Sequence, residues 1–200
     1  MFLYLASQSP RRRQLLDQLG VRHQLLLPDA DEDSEGIEAV RGAEAPARYV
    51  QRVTALKLDA ALGRLRRRGL PPAPVLCADT TVALGRRIYG KPANGADAAR
   101  MLRELSDRSH RVLTAVAVQH GRRRLTALSD SRVQFDRLTP AQIRRYVAGG
   151  EPLGKAGAYA VQGAAAAHIR HLAGSYSGIM GLPMFETANL LRACGFVLSF

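Results

Sequence analysis

Apolar and polar positions change their spacing several times along this chain, which predicts a mixture of short strands and longer helices. Residues 2–6 form a compact apolar run that is typical of a buried strand. From residue 45 to about 62 the apolar side chains recur at helical spacing, which predicts an amphipathic helix. Residues 74–84 are again apolar and rich in β-forming residues, and Asp79 is the single carboxylate inside this run.

Proline, glycine and capping residues predict where the helices begin and end. Ser9 is a natural N-cap, Pro10 stands at the first helical position, and Gly20 ends the helix that follows. Thr139 and Gln142 form a capping box that opens a helix to about residue 147. Further helices are predicted at residues 94–105 and 183–193, and further strands at residues 24–27, 112–119, 125–135 and 196–200.

Strands and helices follow one another without strict alternation, so the predicted fold class is α/β with a mixed β-sheet flanked by helices. A chain of 200 residues with 46% hydrophobic content can bury roughly 70% of its unfolded surface. We therefore expect a single domain over residues 1–200.

Membrane and secretion signals are not apparent in the sequence. No apolar stretch approaches the ~18 to 20 residues that a membrane-spanning helix needs. Residues 1–7 lead directly into Pro10 and three arginines, which is not the order of a signal peptide. We expect a cytoplasmic protein with no membrane partner.

The net charge of +12 favours polyanionic partners, whether nucleic acid, a membrane surface or the phosphates of a nucleotide. Only three of the 29 basic residues are lysines, Lys57, Lys91 and Lys155. They either mark places where a compact point charge matters or fall there by chance. Cys77 and Cys194 both lie in apolar runs, so we expect buried thiols and no disulfide.

The start of the first helix combines several groups that bind anions. Backbone donors at the helix N-terminus, the Ser9 hydroxyl and the guanidiniums of Arg11 and Arg12 could together grip a phosphate. Three arginines in this first turn oppose the helix dipole unless an anion shares the site. The alternative is that these arginines are simply solvated.

Two carboxylates are candidates for catalysis or metal binding. Asp79 interrupts a buried apolar run, so it needs a counter-charge, a metal ion or a catalytic role, unless it only caps a turn. Glu32 is one of six acidic residues at positions 29–38 and could reach a divalent cation, although acidic loops are more often solvated.

Several familiar motifs are incomplete or absent. Residues 85–92 and 149–156 approach the phosphate-binding P-loop, but neither has the hydroxyl residue after its lysine that would hold magnesium. Lys91 and Lys155 could still contact phosphate as point charges. His168 and His171 lack further metal ligands at suitable spacing, and no Gly-x-Ser-x-Gly elbow supports a serine hydrolase.

A set of short motifs, in order over nearly the whole chain, resembles the Maf family of nucleoside triphosphate pyrophosphatases. Each motif alone would be weak, but their joint order and spacing are specific. The motifs are Leu5-Ala-Ser-Gln-Ser-Pro-Arg-Arg12, Ala78-Asp-Thr-x-Val82, Gly90-Lys-Pro92, His110-x-Val-x-Thr114, Lys155-Ala-Gly-Ala-Tyr-x-x-Gln-Gly163 and Gly181-Leu-Pro183.

The resemblance implies a fold and an activity. The implied fold is elongated, like that of the inosine triphosphate pyrophosphatases, with two lobes around a cleft, and usually forms a homodimer. The implied activity is hydrolysis between the α- and β-phosphates, a house-cleaning reaction on the nucleotide pool. It implies a divalent metal cation as well, normally Mg²⁺, with Mn²⁺ as the alternative.

The resemblance also implies roles for individual residues. Asp79 matches the general base of the family, and Glu32 matches the carboxylate that lies with it on the metal side. Substrate-binding positions are matched by Ser9, Arg12, Lys57, Lys91 and Lys155. The positions that separate a branch acting on dTTP and UTP from one acting on 7-methyl-GTP are matched by Arg11, Thr80 and Gln162, and they resemble the dTTP/UTP branch.

Two positions depart from the family pattern. Gly154 stands where an Asp usually precedes the lysine at position 155, and Asp107 stands where a Gly is common. The first departure leaves open how firmly Lys155 is oriented.

Two alternatives to this function stay open. A nucleic-acid-binding or cell-division regulator would use the basic surface, including the arginine runs at residues 66–68 and 122–124. The 6% aromatic content and the lack of a known binding motif argue against a specific nucleic-acid partner. Among enzymes, modified pyrimidine nucleotides are the alternative substrates, because one methyl group changes binding by only ~1 to 3 kcal/mol.

Overall fold

The computed structural model describes residues 1–29, 32 and 34–198. The second half of the chain also contains two short 3-10 turns, at Ala156–Ala158 and Ala164–His168. The elements in chain order are β1 (Leu3–Leu5), α1 (Pro10–Gln18), β2 (His23–Leu25), α2 (Ser34–Glu38), α3 (Pro46–Arg67), β3 (Val75–Leu84), β4 (Arg87–Tyr89), α4 (Gly95–Leu105), β5 (Ser109–His120), β6 (Arg123–Phe135), α5 (Pro140–Ala148), β7 (Ile169–Ala173), α6 (Tyr176–Met180) and α7 (Met184–Ala193).

The strands form one mixed sheet of seven strands in the order β2-β1-β3-β5-β6-β7, with β4 paired to β3. β1 is parallel to both β2 and β3, and the other pairs are antiparallel. The predicted α/β class with a mixed sheet and flanking helices is therefore confirmed. Among the described helices, none combines the length and the apolar character that crossing a lipid bilayer requires.

A gap in the sheet lies beside the middle of β3. On that edge, β1 pairs only with the first two residues of β3, and β4 pairs only with the last three. β5 covers the other edge along nearly the whole strand. Among the described strands, residues 77–81 therefore keep one open edge, and Asp79 and Thr80 lie in it.

The hydrophobic core covers both faces of β3. Leu76 and Ala78 pack with α1 and α7 on one face. Val75 and Cys77 pack with α3 on the other face. Because successive strand residues point to opposite faces, Asp79 continues the face that α3 covers and Thr80 continues the face of α1. Both cysteines are buried and free, as expected.

α3 is longer than predicted, since the helix continues through Gly63 to Arg67 and so passes the predicted end at about residue 62. Arg64 and Leu65 are buried in this extra turn, and Nη1 of Arg64 donates to the carbonyl oxygen of Leu26 at 2.8 Å. These contacts outweigh the cost of about 1 kcal/mol that a glycine imposes inside a helix.

The chain after α7 differs from the prediction of a last strand at residues 196–200. Residues 196–198 form no strand, and residues 199 and 200 lie outside the described part. Phe196 instead packs into the α1–α7 cluster, and its backbone nitrogen donates to the carbonyl oxygen of Leu191 at 3.0 Å. Contact with the end of the helix thus takes the place of strand pairing.

Candidate active site

The residues that the sequence singled out line one cleft of about 550 Å³ beside the open edge of β3. The start of α1, the middle of α3 and the segments around residues 91 and 155 contribute its walls. The structure brings together ten candidate side chains, namely Ser9, Arg11, Arg12, Glu32, Lys57, Asp79, Thr80, Lys91, Lys155 and Gln162.

A chain of ion pairs joins carboxylates and lysines on the α3 side of the cleft. Nζ of Lys57 lies 2.6 Å from Oδ1 of Asp79 and 2.6 Å from Oε1 of Glu38. Nζ of Lys91 lies 3.5 Å from Oε2 of Glu38. Lys57 therefore supplies the counter-charge that the buried Asp79 requires, and it holds two carboxylates close to one point.

These ion pairs change the protonation of their members. Burial lowers the pKa of Lys57, but the charges of Asp79 and Glu38 outweigh it, so the pKa is raised overall. Burial raises the pKa of Glu38, but Lys57 and Lys91 outweigh it, so that pKa is lowered overall. Lys57 and Glu38 are therefore both charged at neutral pH.

Glu38 is a residue of the cleft that sequence reasoning missed. It ends α2, and Oη of Tyr49 on α3 donates to its carbonyl oxygen at 2.9 Å. Nη2 of Arg52 donates to the next carbonyl oxygen, that of Ala39, also at 2.9 Å. In the sequence Glu38 was one of six acidic residues in a stretch without periodicity, so no local signal distinguished it.

Glu32 lines the cleft but is not joined to Asp79. Its carboxylate accepts from Nε and Nη2 of Arg64 at 2.8 and 2.5 Å, and from Arg67 at 2.9 Å. Hydrogen bonding to Arg64 lowers the pKa of Glu32 to about 2. In this arrangement Glu32 could contact a metal ion beside Asp79 only after leaving Arg64.

The opposite wall of the cleft is cationic. Nε of Arg12 donates to the carbonyl oxygen of Gly181 at 2.8 Å, and its Nη1 donates to Oγ of Ser7 at 3.1 Å. Nε of Arg11 donates to the carbonyl oxygen of Met180 at 3.2 Å. The turn between α6 and α7 thus orients both guanidiniums.

The start of α1 lacks an acidic group of its own. Ser9 stands at the predicted N-cap position, but its side chain makes no capping bond, and the first turn holds no acidic residue. The backbone nitrogen of Ser9 donates instead to Oγ of Ser7 at 3.2 Å. The positive end of the helix and the Ser9 hydroxyl are therefore available to an anion.

Neutral polar groups line the cleft beside these cations. Oγ1 of Thr80 accepts from Nη2 of Arg12 at 3.4 Å and lies 2.9 Å from Oγ1 of Thr114 on β5. Gln162 is exposed where it lines the cleft. Neutral groups with directional hydrogen bonds are suited to reading an uncharged part of a ligand.

The cationic wall consists of Arg11, Arg12 and Lys155, and none of these side chains forms an ion pair with a carboxylate among the described residues. Arg11 and Arg12 donate to carbonyl and hydroxyl oxygens, and Lys155 donates to the carbonyl oxygen of Glu151. Burial lowers the pKa of all three cations, and the charge of Arg11 further lowers that of Lys155. An anionic ligand would restore the balance, so the cleft has the electrostatics of a phosphate-binding site.

Comparison with known proteins relates nearly the whole chain to one family. The sequence model of the family described as Maf-like protein matches residues 2–194. The chain belongs to the Maf family. The match includes the start of α1, the open edge of β3 and the α6–α7 turn, which are the parts that build the cleft.

Maf-family relatives of high identity extend over nearly the whole chain. A protein of Albidiferax ferrireducens named dTTP/UTP pyrophosphatase is 70% identical over 98% of this chain and 98% of its own length. A Polaromonas protein of the same name is 70% identical over 97% of this chain and 96% of its own length.

A solved structure, that of a dITP/XTP pyrophosphatase from Mycobacterium abscessus, aligns with 69% of this chain over 76% of its own length. The sequence identity is 18% and the TM-score is 0.42.

The two departures from the Maf pattern have structural counterparts. Gly154 has a φ of +71°, and the ammonium group of Lys155 beside it donates to the carbonyl oxygen of Glu151. Asp107 has a φ of +57°, a left-handed conformation in which Gly is favoured and Asp is among the better tolerated alternatives.

Proposed function

We propose that this chain is a nucleoside triphosphate pyrophosphatase that hydrolyses dTTP and UTP to the monophosphate and pyrophosphate. The observation that carries the proposal is the cationic wall of Arg11, Arg12 and Lys155, whose charge lacks carboxylate partners among the described residues and faces Asp79 across one cleft. Maf-family relatives at 70% identity that carry the name dTTP/UTP pyrophosphatase support the choice of substrate.

In the proposed reaction, water attacks the α-phosphorus and pyrophosphate leaves. Asp79 is the general base that accepts the proton of this water, and Lys57 holds one of its oxygens so that the other is directed to the reaction. Arg12, Lys57 and Lys91 balance the negative charge that develops on the phosphates, with Ser9 and Lys155 binding the rest of the triphosphate. The oxygen of the water becomes an oxygen of the nucleoside monophosphate, and the bond from the α-phosphorus to the bridging oxygen breaks, so pyrophosphate leaves with that oxygen. Asp79 then passes the proton that it accepted to solvent, and the second proton of the water stays on the monophosphate or is released to solvent.

The carboxylates of the cleft fit a divalent cation. Mg²⁺ is commonly held by one or two carboxylates together with substrate phosphates, and Asp79 and Glu38 already converge on a single Nζ atom. Among the described residues, no group of three or more His, Cys, Asp or Glu side chains could hold a metal ion without oxygen ligands from the substrate. We propose that Asp79 and Glu38 hold the cation, with Glu32 as the alternative partner. The cation would neutralise charge on the leaving pyrophosphate.

Selection of the base is assigned to Arg11, Thr80 and Gln162. They supply a cation, a hydroxyl and an amide at the cleft, which is a set of donors and acceptors able to read the edge of a pyrimidine. Modified pyrimidine nucleotides remain the alternative substrates. A homodimer, a single-domain organisation and a cytoplasmic location are further parts of the proposal.

The basic runs offer little support for the nucleic-acid alternative. Arg67 and Arg68 pair with Glu32 and Asp29, and Arg124 pairs with Asp59. Carboxylates of the protein therefore already neutralise part of each run, whereas the cations of the cleft wall bond to neutral oxygens. The cations of the cleft are therefore better suited to bind a phosphate than the ion-paired arginines of the surface runs.

The test is pyrophosphate release in the presence of Mg²⁺ from dTTP, UTP, CTP, GTP and 7-methyl-GTP. We expect release from dTTP and UTP, and a loss of at least about 100-fold in Asp79→Asn because the base is removed. Asp17→Asn is the matched control, since its carboxylate is exposed on α1 away from the cleft. Release from none of the five nucleotides, combined with salt-dependent binding to duplex DNA, would support the regulatory alternative instead.

A further inference from the structure

A chain of three hydrogen-bonding groups runs from the cleft into the core. Thr80 and Thr114 are direct partners in the β3–β5 pairing, and their Oγ1 atoms lie 2.9 Å apart. Oγ1 of Thr114 donates to the carbonyl oxygen of Gly178 at 2.7 Å. Thr114 is fully buried, whereas Thr80 lines the cleft.

The position of the Gly178 carbonyl is tightly fixed. A Cβ atom at Gly178 would lie only 2.8 Å from Oγ of Ser129, so α6 approaches β6 as closely as a glycine permits. The backbone nitrogen of Gly178 is held as well, because it donates to the capping Oγ of Ser175 at 2.9 Å. The acceptor at the buried end of the chain is therefore rigid.

The direction of the chain follows from proton counting. A hydroxyl has one proton, and a carbonyl oxygen can only accept, so the proton of Thr114 is committed to Gly178. The contact between the two threonines is then a hydrogen bond from Thr80 to Thr114. Because its own proton points into the core, the oxygen of Thr80 can offer only lone pairs to the cleft, and Nη2 of Arg12 already donates to it.

We propose that Thr114 is a specificity-determining positioning residue, which fixes the Thr80 hydroxyl as a hydrogen-bond acceptor and thereby favours uracil and thymine over cytosine. This inference rests on the proposed function. Uracil and thymine carry a proton on N3, which an acceptor binds, whereas N3 of cytosine is itself an acceptor. An acceptor that faces another acceptor forms no hydrogen bond, so N3 of cytosine would lose its hydrogen-bond partner on binding, and this lowers the affinity for cytosine strongly.

The geometry of β3 separates this role from the chemistry. Asp79 and Thr80 are successive residues and project to opposite faces, so Asp79 contacts Lys57 on the α3 side while Thr80 contacts Arg12 on the α1 side. Thr114 contacts neither Asp79 nor a cation, and of its two hydrogen-bond partners, Thr80 and the Gly178 carbonyl, only Thr80 lines the cleft. Its removal should therefore change which base is accepted more than how fast the anhydride is cleaved.

The experiment compares kcat/KM for UTP and CTP in the wild-type chain and in Thr114→Val, Thr114→Ser, Thr80→Val and the Thr80→Val/Thr114→Val double variant. Thr114→Val deletes the acceptor and lets the Thr80 hydroxyl turn, so the UTP to CTP ratio is expected to fall about tenfold or more. Thr114→Ser keeps the hydroxyl and should keep the ratio. The double variant should match the UTP to CTP ratio of Thr80→Val, because Thr114 cannot change this ratio once Thr80 has no hydroxyl.

The outcomes separate the inference from the proposed function. An unchanged ratio in Thr114→Val, or losses in the two single variants that add up in the double variant, would overturn the inference while turnover of UTP leaves the proposed function intact. No turnover of UTP by the wild-type chain would overturn both. Thr114→Ala deletes the same hydroxyl and replaces Thr114→Val if thermal denaturation shows that the valine variant does not fold.

Discussion

Lys57 is the residue on which the charges of the cleft converge. Its ammonium group contacts both Asp79 and Glu38 at 2.6 Å, and Glu38 in turn contacts Lys91. Sequence reasoning identified Lys57, Asp79 and Lys91 as site residues through the resemblance to the Maf family. It could not identify Glu38, because the fold of α2 against α3, and not a local pattern, brings that carboxylate to the site.

The two candidate carboxylates on the metal side are distinguished by their partners. Glu38→Gln should raise the Mg²⁺ concentration for half-maximal UTP hydrolysis by about tenfold or more, because it removes a ligand beside Asp79. Glu32→Gln, the matched variant, should leave this concentration near the wild-type value. It should instead lower the melting temperature, because the buried guanidinium of Arg64 loses its carboxylate.

Activity measured across a Mg²⁺ series for both variants decides between these carboxylates. A rise in the Mg²⁺ requirement with Glu32→Gln alone would contradict the role of Glu38. It would show that Glu32 leaves Arg64 to bind the cation.

At the scale of the elements, the strongest patterns in the sequence predicted strands and helices that the structure contains. The long apolar run predicted β3, and the capping box of Thr139 and Gln142 predicted α5, where both hydrogen bonds of the box are present. β7 was missed because three of its five side chains are exposed and the other two are only half-buried, which leaves no clear apolar face. Burial of Arg64 extended α3 beyond Gly63, an effect of tertiary contacts that spacing along one helix does not carry.

The packing of β5 against the turn after Lys155 makes stability depend on pH. His110 on β5 is 2% exposed, contacts Oη of Tyr159 at 2.8 Å, and packs against Phe135. Burial lowers the pKa of His110 to about 4. Below about pH 6.5 the unfolded chain takes up a proton that the folded chain resists, so the folded state loses stability as the pH falls.

The free energy of unfolding should fall by about 2 kcal/mol between pH 6.5 and pH 5 through His110 alone. Urea denaturation at the two pH values measures this change, and His110→Gln should remove most of it. His120→Gln is the control on the same strand, because His120 is exposed and should leave the change intact. Equal pH dependence in the wild-type chain and His110→Gln would contradict the assignment.

At the scale of the whole molecule, the fold turns motifs that are far apart in sequence into one cleft. The gap between β1 and β4 along β3 provides the opening, and β3 itself carries Asp79. α1 provides cations that carbonyl oxygens of the α6–α7 turn orient, α2 provides the carboxylate of Glu38, and α3 provides Lys57. The resemblance to the Maf family indicated which residues meet, but not how they are paired. Pairing depends on backbone positions, such as the Gly178 and Gly181 carbonyls, that side-chain patterns do not specify.

The net charge of +12 also has a different meaning once the structure is known. Many arginines form ion pairs with carboxylates on the surface, such as Arg111 with Asp130 and Arg170 with Asp136. The charge that matters for the proposed function lies in the cleft, where the partners of Arg12 are neutral oxygens. Total charge alone could therefore not choose between nucleic acid and nucleotide.

The position of water attack tests the central claim most directly. UTP is hydrolysed by the wild-type chain in ¹⁸O-labelled water with Mg²⁺, and the products are analysed by mass spectrometry. Attack on the α-phosphorus by water that Asp79 deprotonates predicts that the label appears in UMP and that pyrophosphate is unlabelled. Label in pyrophosphate or in orthophosphate, or no hydrolysis at all, would contradict the account.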